Sequence, residues 1–201
     1  MSLRYLALGD SYTIGEGVAV GARWPVQLAV ALRQHGTPVD PPTVLATTGW
    51  TTGELAQAMD AAHFAPPYDL VSLLIGVNNQ YRGLALDGYR AEFAALLRRA
   101  VTLAGARPAR VVVLSIPDWG VTRFAAASGR DVPRIAAEID AFNTAARDTV
   151  ITAGARWVDI TGISRDAATA LADDGLHPSA AQYARWAQCA LPVALAALAG
   201  A

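Results

Sequence analysis

The chain has 201 residues, of which 53% are hydrophobic and 16% are charged, a composition typical of a folded protein with one large core. Its formal net charge of −1 excludes the basic surface that attracts nucleic acids and anionic membranes. The single cysteine, Cys189, excludes an intramolecular disulfide and a cysteine-rich metal site.

Apolar runs of strand length alternate along the chain with longer segments of helical periodicity. The predicted strands are residues 4–9, 43–49, 69–79, 110–117 and 155–161. The predicted helices are residues 23–36, 52–64, 87–105, 132–154 and 179–198. Pro192 is a candidate kink in the last helix. No polar or Pro/Ser-rich linker interrupts the alternation, so we expect residues 1–201 to form a single domain.

The predicted strands are nearly continuous apolar runs, which is typical of a parallel sheet covered by helices on both faces. Such sheets bind ligands outside the carboxyl ends of their strands. We therefore expect the segments that follow the strands to gather on one rim of the sheet. These segments are GDSYT (9–13), TTGWTT (47–52), GVNNQYRG (76–83) and SIPDWGV (115–121).

The two ends of the chain bear on its location. The N-terminus lacks the charged and apolar regions of a secretory leader, because the first predicted strand begins at residue 4. The apolar segment 189–201 contains Pro192 and is too short to span a bilayer. We therefore expect a cytoplasmic protein without a membrane span. The composition favours no particular oligomeric state.

Ser11 follows the first predicted strand on a glycine-punctuated turn. Gly, Asp and Ser also form turns that have no chemical role, so this segment fits either a simple turn or a nucleophile. A serine hydroxyl becomes a nucleophile when a base accepts its proton and a third group orients that base. Asp10 lies beside Ser11, a position that suits a loop-holding hydrogen bond better than a second catalytic acid.

His177 is the best candidate base among the three histidines. His35 and His63 lie at the ends of predicted helices, where a histidine is an ordinary C-terminal residue. Pro178 disfavours a helical conformation at His177, which predicts a loop before the last helix. Asp174 lies three residues earlier, across a glycine, so a short loop can bring its carboxylate to the imidazole Nδ1. A simple loop that caps the last helix is the alternative.

Four blocks in this order resemble those of the GDSL-type, SGNH-fold serine hydrolases. They are GDSYT (9–13), TTGWTT (47–52), GVNN (76–79) and DGLHP (174–178). The resemblance covers essentially the whole chain and implies a three-layer α/β/α sandwich around a mostly parallel, flavodoxin-like sheet of five strands. It also implies an esterase that needs no metal or organic cofactor.

The resemblance implies a role for residues of each block. Ser11 takes the place of the nucleophile, His177 that of the base and Asp174 that of the acid. The backbone N–H groups of Ser11 and Gly49 and the side-chain amide of Asn78 take the place of the oxyanion hole.

The chain departs from the family pattern at four positions. Tyr12 and Thr13 replace the last part of the first motif, a change that does not touch the chemistry. Asn79 stands where the family often has Asp, which would stabilise the loop through hydrogen bonds that Asn can partly reproduce. Thr47 stands where many members have Asn before the glycine of the second block.

Several apolar residues in or just after the rim segments are candidates for an acyl or alcohol pocket, because small-molecule sites are mostly apolar. They are Tyr12, Ile14, Trp50, Tyr81, Trp119 and Phe124. Each of them is equally suited to packing a loop. No segment resembles a lid helix, so we expect small, soluble, short-chain esters.

The predicted function is hydrolysis of carboxylic esters through a Ser-His-Asp triad and an acyl-enzyme intermediate, with a small-molecule ester as the partner. A carbohydrate deacetylase, a thioesterase or a lysophospholipase could use the same site. A non-catalytic α/β binding module is the alternative from another class. The joint presence of a serine, a base, an acid and Asn78 argues against it.

Overall fold

The computed structural model describes residues 2–166 and 170–199. Its centre is one sheet of five strands, all paired in parallel, in the order β2-β1-β3-β4-β5. The strands are β1 (Tyr5–Gly9), β2 (Thr43–Ala46), β3 (Leu70–Leu74), β4 (Val111–Leu114) and β5 (Arg156–Val158). This order confirms the predicted flavodoxin-like sheet.

Nine α-helices lie within the described residues, and five of them match the predicted helices. These five are α2 (Trp24–Gln34), α3 (Thr52–Ala61), α5 (Leu86–Leu103), α7 (Val132–Thr152) and α9 (Ala180–Leu198), which continues through Pro192. The other four are α1 (Ser11–Ile14), α4 (Val77–Tyr81), α6 (Arg123–Ala127) and α8 (Thr161–Asp166). These short helices show no sequence periodicity, because four to six residues do not complete two helical turns. No described helix has both the length and the apolar character needed to cross a bilayer.

The predicted third strand, 69–79, is too long. β3 ends at Leu74, and residues 77–81 instead form helix α4. Gly76 separates the two with a φ of 130°, a backbone conformation that L side chains rarely adopt. A side chain on Gly76 would also collide with the ring of Tyr89. This glycine therefore ends the strand and turns the chain into α4 at the carboxyl end of β3.

Two groups of helices flank the sheet. α2 packs against α9, and α5 packs against both α3 and α7. In the sheet, β2 lies on one side of β1, whereas β3, β4 and β5 follow one another on its other side. Because parallel crossovers are right-handed, this reversal puts the connecting helices on opposite faces. The reversal lies between β1 and β3, where sheets of this kind open a crevice at their carboxyl ends.

Candidate active site

Ser11 is the first residue of α1 and lies at the carboxyl end of β1. Asp10 caps this helix, because its Oδ1 accepts a hydrogen bond of 3.0 Å from the N–H of Tyr12. This contact is the loop-holding hydrogen bond that the sequence predicts for Asp10. Gly9 is required by packing, since a side chain there would collide with Thr13 and with the carbonyl of Leu74. The strand-to-helix turn thus fixes the backbone from which Ser11 projects.

The Asp10 carboxyl is fully buried directly beneath this turn. Burial raises its pKa to about 7, although the hydrogen bond from Tyr12 N–H acts in the opposite direction. Its second oxygen, Oδ2, has no hydrogen-bond partner among the described residues. The charged form of this carboxyl is therefore disfavoured in the folded protein.

His177 and Asp174 are joined by a short hydrogen bond. The imidazole Nδ1 lies 2.6 Å from Asp174 Oδ2, while Asp174 Oδ1 accepts the N–H groups of Leu176 at 2.9 Å and His177 at 3.0 Å. Partial burial acts to raise the pKa of Asp174, but the hydrogen bonds from His177 and the backbone outweigh it, so the pKa is lowered. The carboxylate is therefore ionised at neutral pH and orients the ring.

A narrow backbone loop holds this pair. Leu171 and Pro178 form an antiparallel bridge, and the N–H of Ala172 donates to the carbonyl of His177 at 2.7 Å. Gly175 turns the loop with a φ of 70°. The sequence prediction of a loop that folds Asp174 onto His177 is confirmed by these contacts.

The turn after β2 carries Gly49. The N–H of Trp50 donates to the carbonyl of Thr47 at 3.3 Å, and Gly49 has a φ of 85° in the third position of this turn. Type II turns require a positive φ there, which explains the glycine. The side-chain amide of Asn78, in α4, donates one of its two N–H bonds to the carbonyl of Trp50 at 3.0 Å.

Asn79 connects α4 to the segment that follows the Gly49 turn. Its Oδ1 accepts the N–H of Thr52 at 3.0 Å, and its Nδ2 donates to Thr52 Oγ1 at 2.6 Å. Asn79 is buried. These bonds confirm that an asparagine at this position can hold the loop.

A cavity of about 200 Å³ opens where these segments meet. It brings together Ser11, Gly49, Asn78 and His177. The remaining lining residues are Tyr12, Thr48, Val77, Tyr81, Trp119, Phe124 and Leu176.

Trp50 is not one of the residues that line this cavity. Its side chain packs against the hydrophobic core, and only its backbone carbonyl reaches the site, as the acceptor for Asn78. The turn that positions Gly49 directs the next residue elsewhere. Ile14, the last residue of α1, is also not one of the lining residues.

Three rings, Tyr81, Trp119 and Phe124, form one side of the cavity, here named the aromatic wall. The centroid of the Trp119 ring lies 5.3 Å from that of Tyr81 and 6.2 Å from that of Phe124, both in edge-on geometry. Trp119 Nε1 donates to Gln80 Oε1 at 2.7 Å. The guanidinium of Arg130 lies 4.2 Å from the centre of the Tyr81 ring.

Gln80 and Arg130 were not predicted from the sequence. Gln80 lies in the segment that also carries Asn78, which is the only sequence signal for it. Arg130 contacts Tyr81 across 49 residues of the chain, and no local pattern indicates that contact.

The sequence matches a model of the GDSL-like lipase/acylhydrolase family over residues 7–185. No curated protein matches the chain in sequence. Solved structures with a similar fold include that of TesA, with a TM-score of 0.72 and 20% identity over 94% of this chain and 97% of that one.

Two esterases also share the fold. Axe2, an acetylxylan esterase from Geobacillus stearothermophilus, has a TM-score of 0.74 and 19% identity, covering 96% of this chain and 94% of its own. The psychrotrophic esterase EstA from Pseudoalteromonas sp. has a TM-score of 0.71 and 16% identity, covering 94% of this chain and 95% of its own.

Proposed function

Because the chain belongs to the GDSL-like lipase/acylhydrolase family, we propose that this hydrolase cleaves short-acyl carboxylic esters with a Ser11–His177–Asp174 triad. The observation that carries the proposal is the 2.6 Å contact between His177 Nδ1 and Asp174 Oδ2, beside a cavity that Ser11 and His177 both line. With Nδ1–H donated to the carboxylate, the imidazole keeps its Nε2 lone pair to accept a proton.

The reaction begins when Ser11 Oγ attacks the acyl carbon and its proton passes to His177 Nε2. Asp174 remains ionised and stabilises the imidazolium. As the tetrahedral intermediate collapses, the bond from carbon to the alcohol oxygen breaks, and His177 returns the proton to the departing alkoxide. The acyl group now forms an ester with Ser11. Water, activated by His177, then releases the carboxylic acid and restores the hydroxyl.

The tetrahedral oxyanion needs preorganised donors. Among the described residues, the N–H groups of Ser11 and Gly49 are engaged in no hydrogen bond. The Asn78 amide uses one N–H on the carbonyl of Trp50 and retains the other. These three groups border the same cavity, which supports their assignment as the oxyanion hole.

The size and lining of the cavity support a small, apolar acyl or alcohol group. Its volume of about 200 Å³ lies below the ~300–1,000 Å³ typical of sites for drug-sized ligands. The three rings of the aromatic wall are among its apolar lining side chains. Sugar deacetylation, thioester cleavage and lysophospholipid cleavage would use the same triad. They differ in the leaving group and, for lysophospholipids, also in the length of the acyl chain.

Hydrolysis of p-nitrophenyl acetate by the wild type and by Ser11→Ala tests the proposal. We expect the substitution to lower kcat by about 10⁶-fold, as in other triads. Equal rates would defeat the assignment and favour a binding module. A panel of acyl esters, acetylated sugars, thioesters and lysophospholipids then separates the specificities, with short-chain esters expected to be hydrolysed fastest.

A further inference from the structure

One short helix holds two successive carbonyl groups of the Gly49 turn. Asn78, in α4, donates to the carbonyl of Trp50, and Arg82, which caps the C-terminus of α4, donates from Nη2 to the carbonyl of Gly49 at 2.6 Å. The N–H of Arg82 is itself bonded to the carbonyl of Asn78 at 3.0 Å. Asn78, which offers the side-chain donor, and Arg82, which holds the turn, are therefore neighbours on the same helix.

The Arg82 guanidinium is oriented by a carboxylate on a different helix. Its Nη1 lies 3.2 Å from Oε1 of Glu54, whose Oε2 accepts the N–H of Thr51 at 2.8 Å in the N-terminal cap of α3. The hydrogen bond from the Thr51 N–H lowers the pKa of Glu54. Burial acts in the opposite direction, and the bonds from the Thr51 hydroxyl and from Arg82 lower the pKa further. Glu54 is therefore ionised, and the guanidinium of Arg82 joins two partners, with Nη1 towards Glu54 and Nη2 towards the carbonyl of Gly49.

The Gly49 turn is held weakly by its own hydrogen bond. That bond, from the N–H of Trp50 to the carbonyl of Thr47, is 3.3 Å long, at the long end of the range for N–H···O contacts. The bond from Arg82 anchors the Gly49 carbonyl to α4, and with it the turn that carries the Gly49 N–H. Without this anchor, the turn can shift relative to the Asn78 amide.

We propose that Arg82 is a positioning residue for the oxyanion hole, which holds the Gly49 peptide in register with the Asn78 amide. The inference rests on the proposed esterase function. Arg82 is not one of the cavity-lining residues, so it acts through Gly49 and does not touch the substrate. Its loss is expected to affect the transition state, where the oxyanion forms, more than the bound ester.

Arg99 provides a matched control. Its Nη1 donates to the carbonyl of Ala56 at 3.0 Å, and its Nη2 lies 2.8 Å from Oδ1 of Asp60. Like Arg82, it therefore bridges a backbone carbonyl and a carboxylate of α3, but neither it nor its partners line the cavity.

The test compares Arg82→Met with Arg99→Met on p-nitrophenyl acetate, after thermal melting establishes that both are folded. We expect Arg82→Met to lower kcat by about 10- to 100-fold, the size of effect that misplacing an oxyanion donor produces, with little change in KM. Its affinity for a trifluoromethyl ketone, which mimics the tetrahedral intermediate, should fall by the same factor as kcat/KM. Arg99→Met should leave kcat and this affinity unchanged.

An unchanged kcat, or a change confined to KM, would overturn the role of Arg82. If Arg82→Met melts below the assay temperature, Arg82→Gln takes its place with the same expected result, because its side chain is too short to bridge Gly49 and Glu54. Ser11→Ala separates the two levels of the proposal. If Ser11→Ala is inactive and the Arg82 variant is fully active, only the positioning role is refuted. If Ser11→Ala is active, the esterase assignment itself is refuted.

Discussion

Asp174 contacts both the backbone and the side chain of His177. One carboxylate oxygen accepts the backbone N–H at 3.0 Å, and the other lies 2.6 Å from the imidazole Nδ1. The three-residue spacing makes this possible, because Gly175 lets the loop close in a left-handed conformation. The ring is thus fixed in both tautomer and direction before any substrate binds.

The first prediction concerns this pair. Asp174→Asn should lower kcat by about 10⁴-fold, because an amide can donate to Nδ1 and so stabilise the wrong tautomer. The measurement is the rate of ester hydrolysis at neutral pH. Asp173→Asn is the matched control, since Asp173 is an exposed neighbour on the same loop. If the two variants lose equal activity, or if Asp173→Asn loses more, Asp174 does not have the role proposed for it.

The second prediction concerns Asp10, the buried carboxyl beside Ser11. Burial raises the pKa of Asp10 to about 7, whereas in the unfolded chain it is about 3.9. Between these values the folded state binds one more proton at Asp10 than the unfolded state does. The contribution of Asp10 to stability is therefore greatest below about pH 4 and is lost as the pH rises towards 7. The slope of this contribution is about 1.4 kcal/mol per pH unit within the window.

Asp10→Asn should flatten this part of the profile while keeping the helix cap. The amide oxygen of asparagine can still accept the N–H of Tyr12. Urea unfolding at intervals from pH 5 to pH 8 provides the free energies of unfolding. The variant should lose less stability than the wild type across this range. Parallel profiles for the two proteins would show that Asp10 is ionised in the folded state throughout.

The third prediction concerns the aromatic wall. Trp119 is almost fully buried and lines the cavity, so Trp119→Ala should enlarge the space for substrate. The preferred acyl chain of p-nitrophenyl esters should therefore become longer, while the free energy of unfolding falls by about 3–5 kcal/mol. Trp157→Ala removes a ring of the same size from β5, away from the cavity lining, and should leave the chain-length profile unchanged. An unaltered profile for Trp119→Ala would remove this residue from the pocket.

The sequence predicts the strands because they are continuous apolar runs, and the long helices because each contains enough residues for the helical period to repeat. It misassigns 77–79 to a strand, since apolar Val77 continues the run from β3 while the break is made by the unusual φ of Gly76. The loop of His177 and Asp174 is predictable because its two residues are close in sequence.

Other parts of the site depend on contacts between distant segments. Trp50 has the right position in the chain for a pocket residue, but its side chain packs against the core and does not line the cavity. Arg82 reaches Gly49 across 33 residues, and Gln80 reaches Trp119 across 39. Neither contact follows from local periodicity or turn chemistry, so only the folded arrangement identifies them.

The most direct test of the proposed chemistry is covalent labelling of the wild-type protein with a serine-directed phosphonate, followed by peptide mass spectrometry. We expect one adduct, on Ser11, which forms in step with the loss of esterase activity and is absent from Ser11→Ala. Inactivation with the adduct on a different serine would contradict the assignment of the nucleophile.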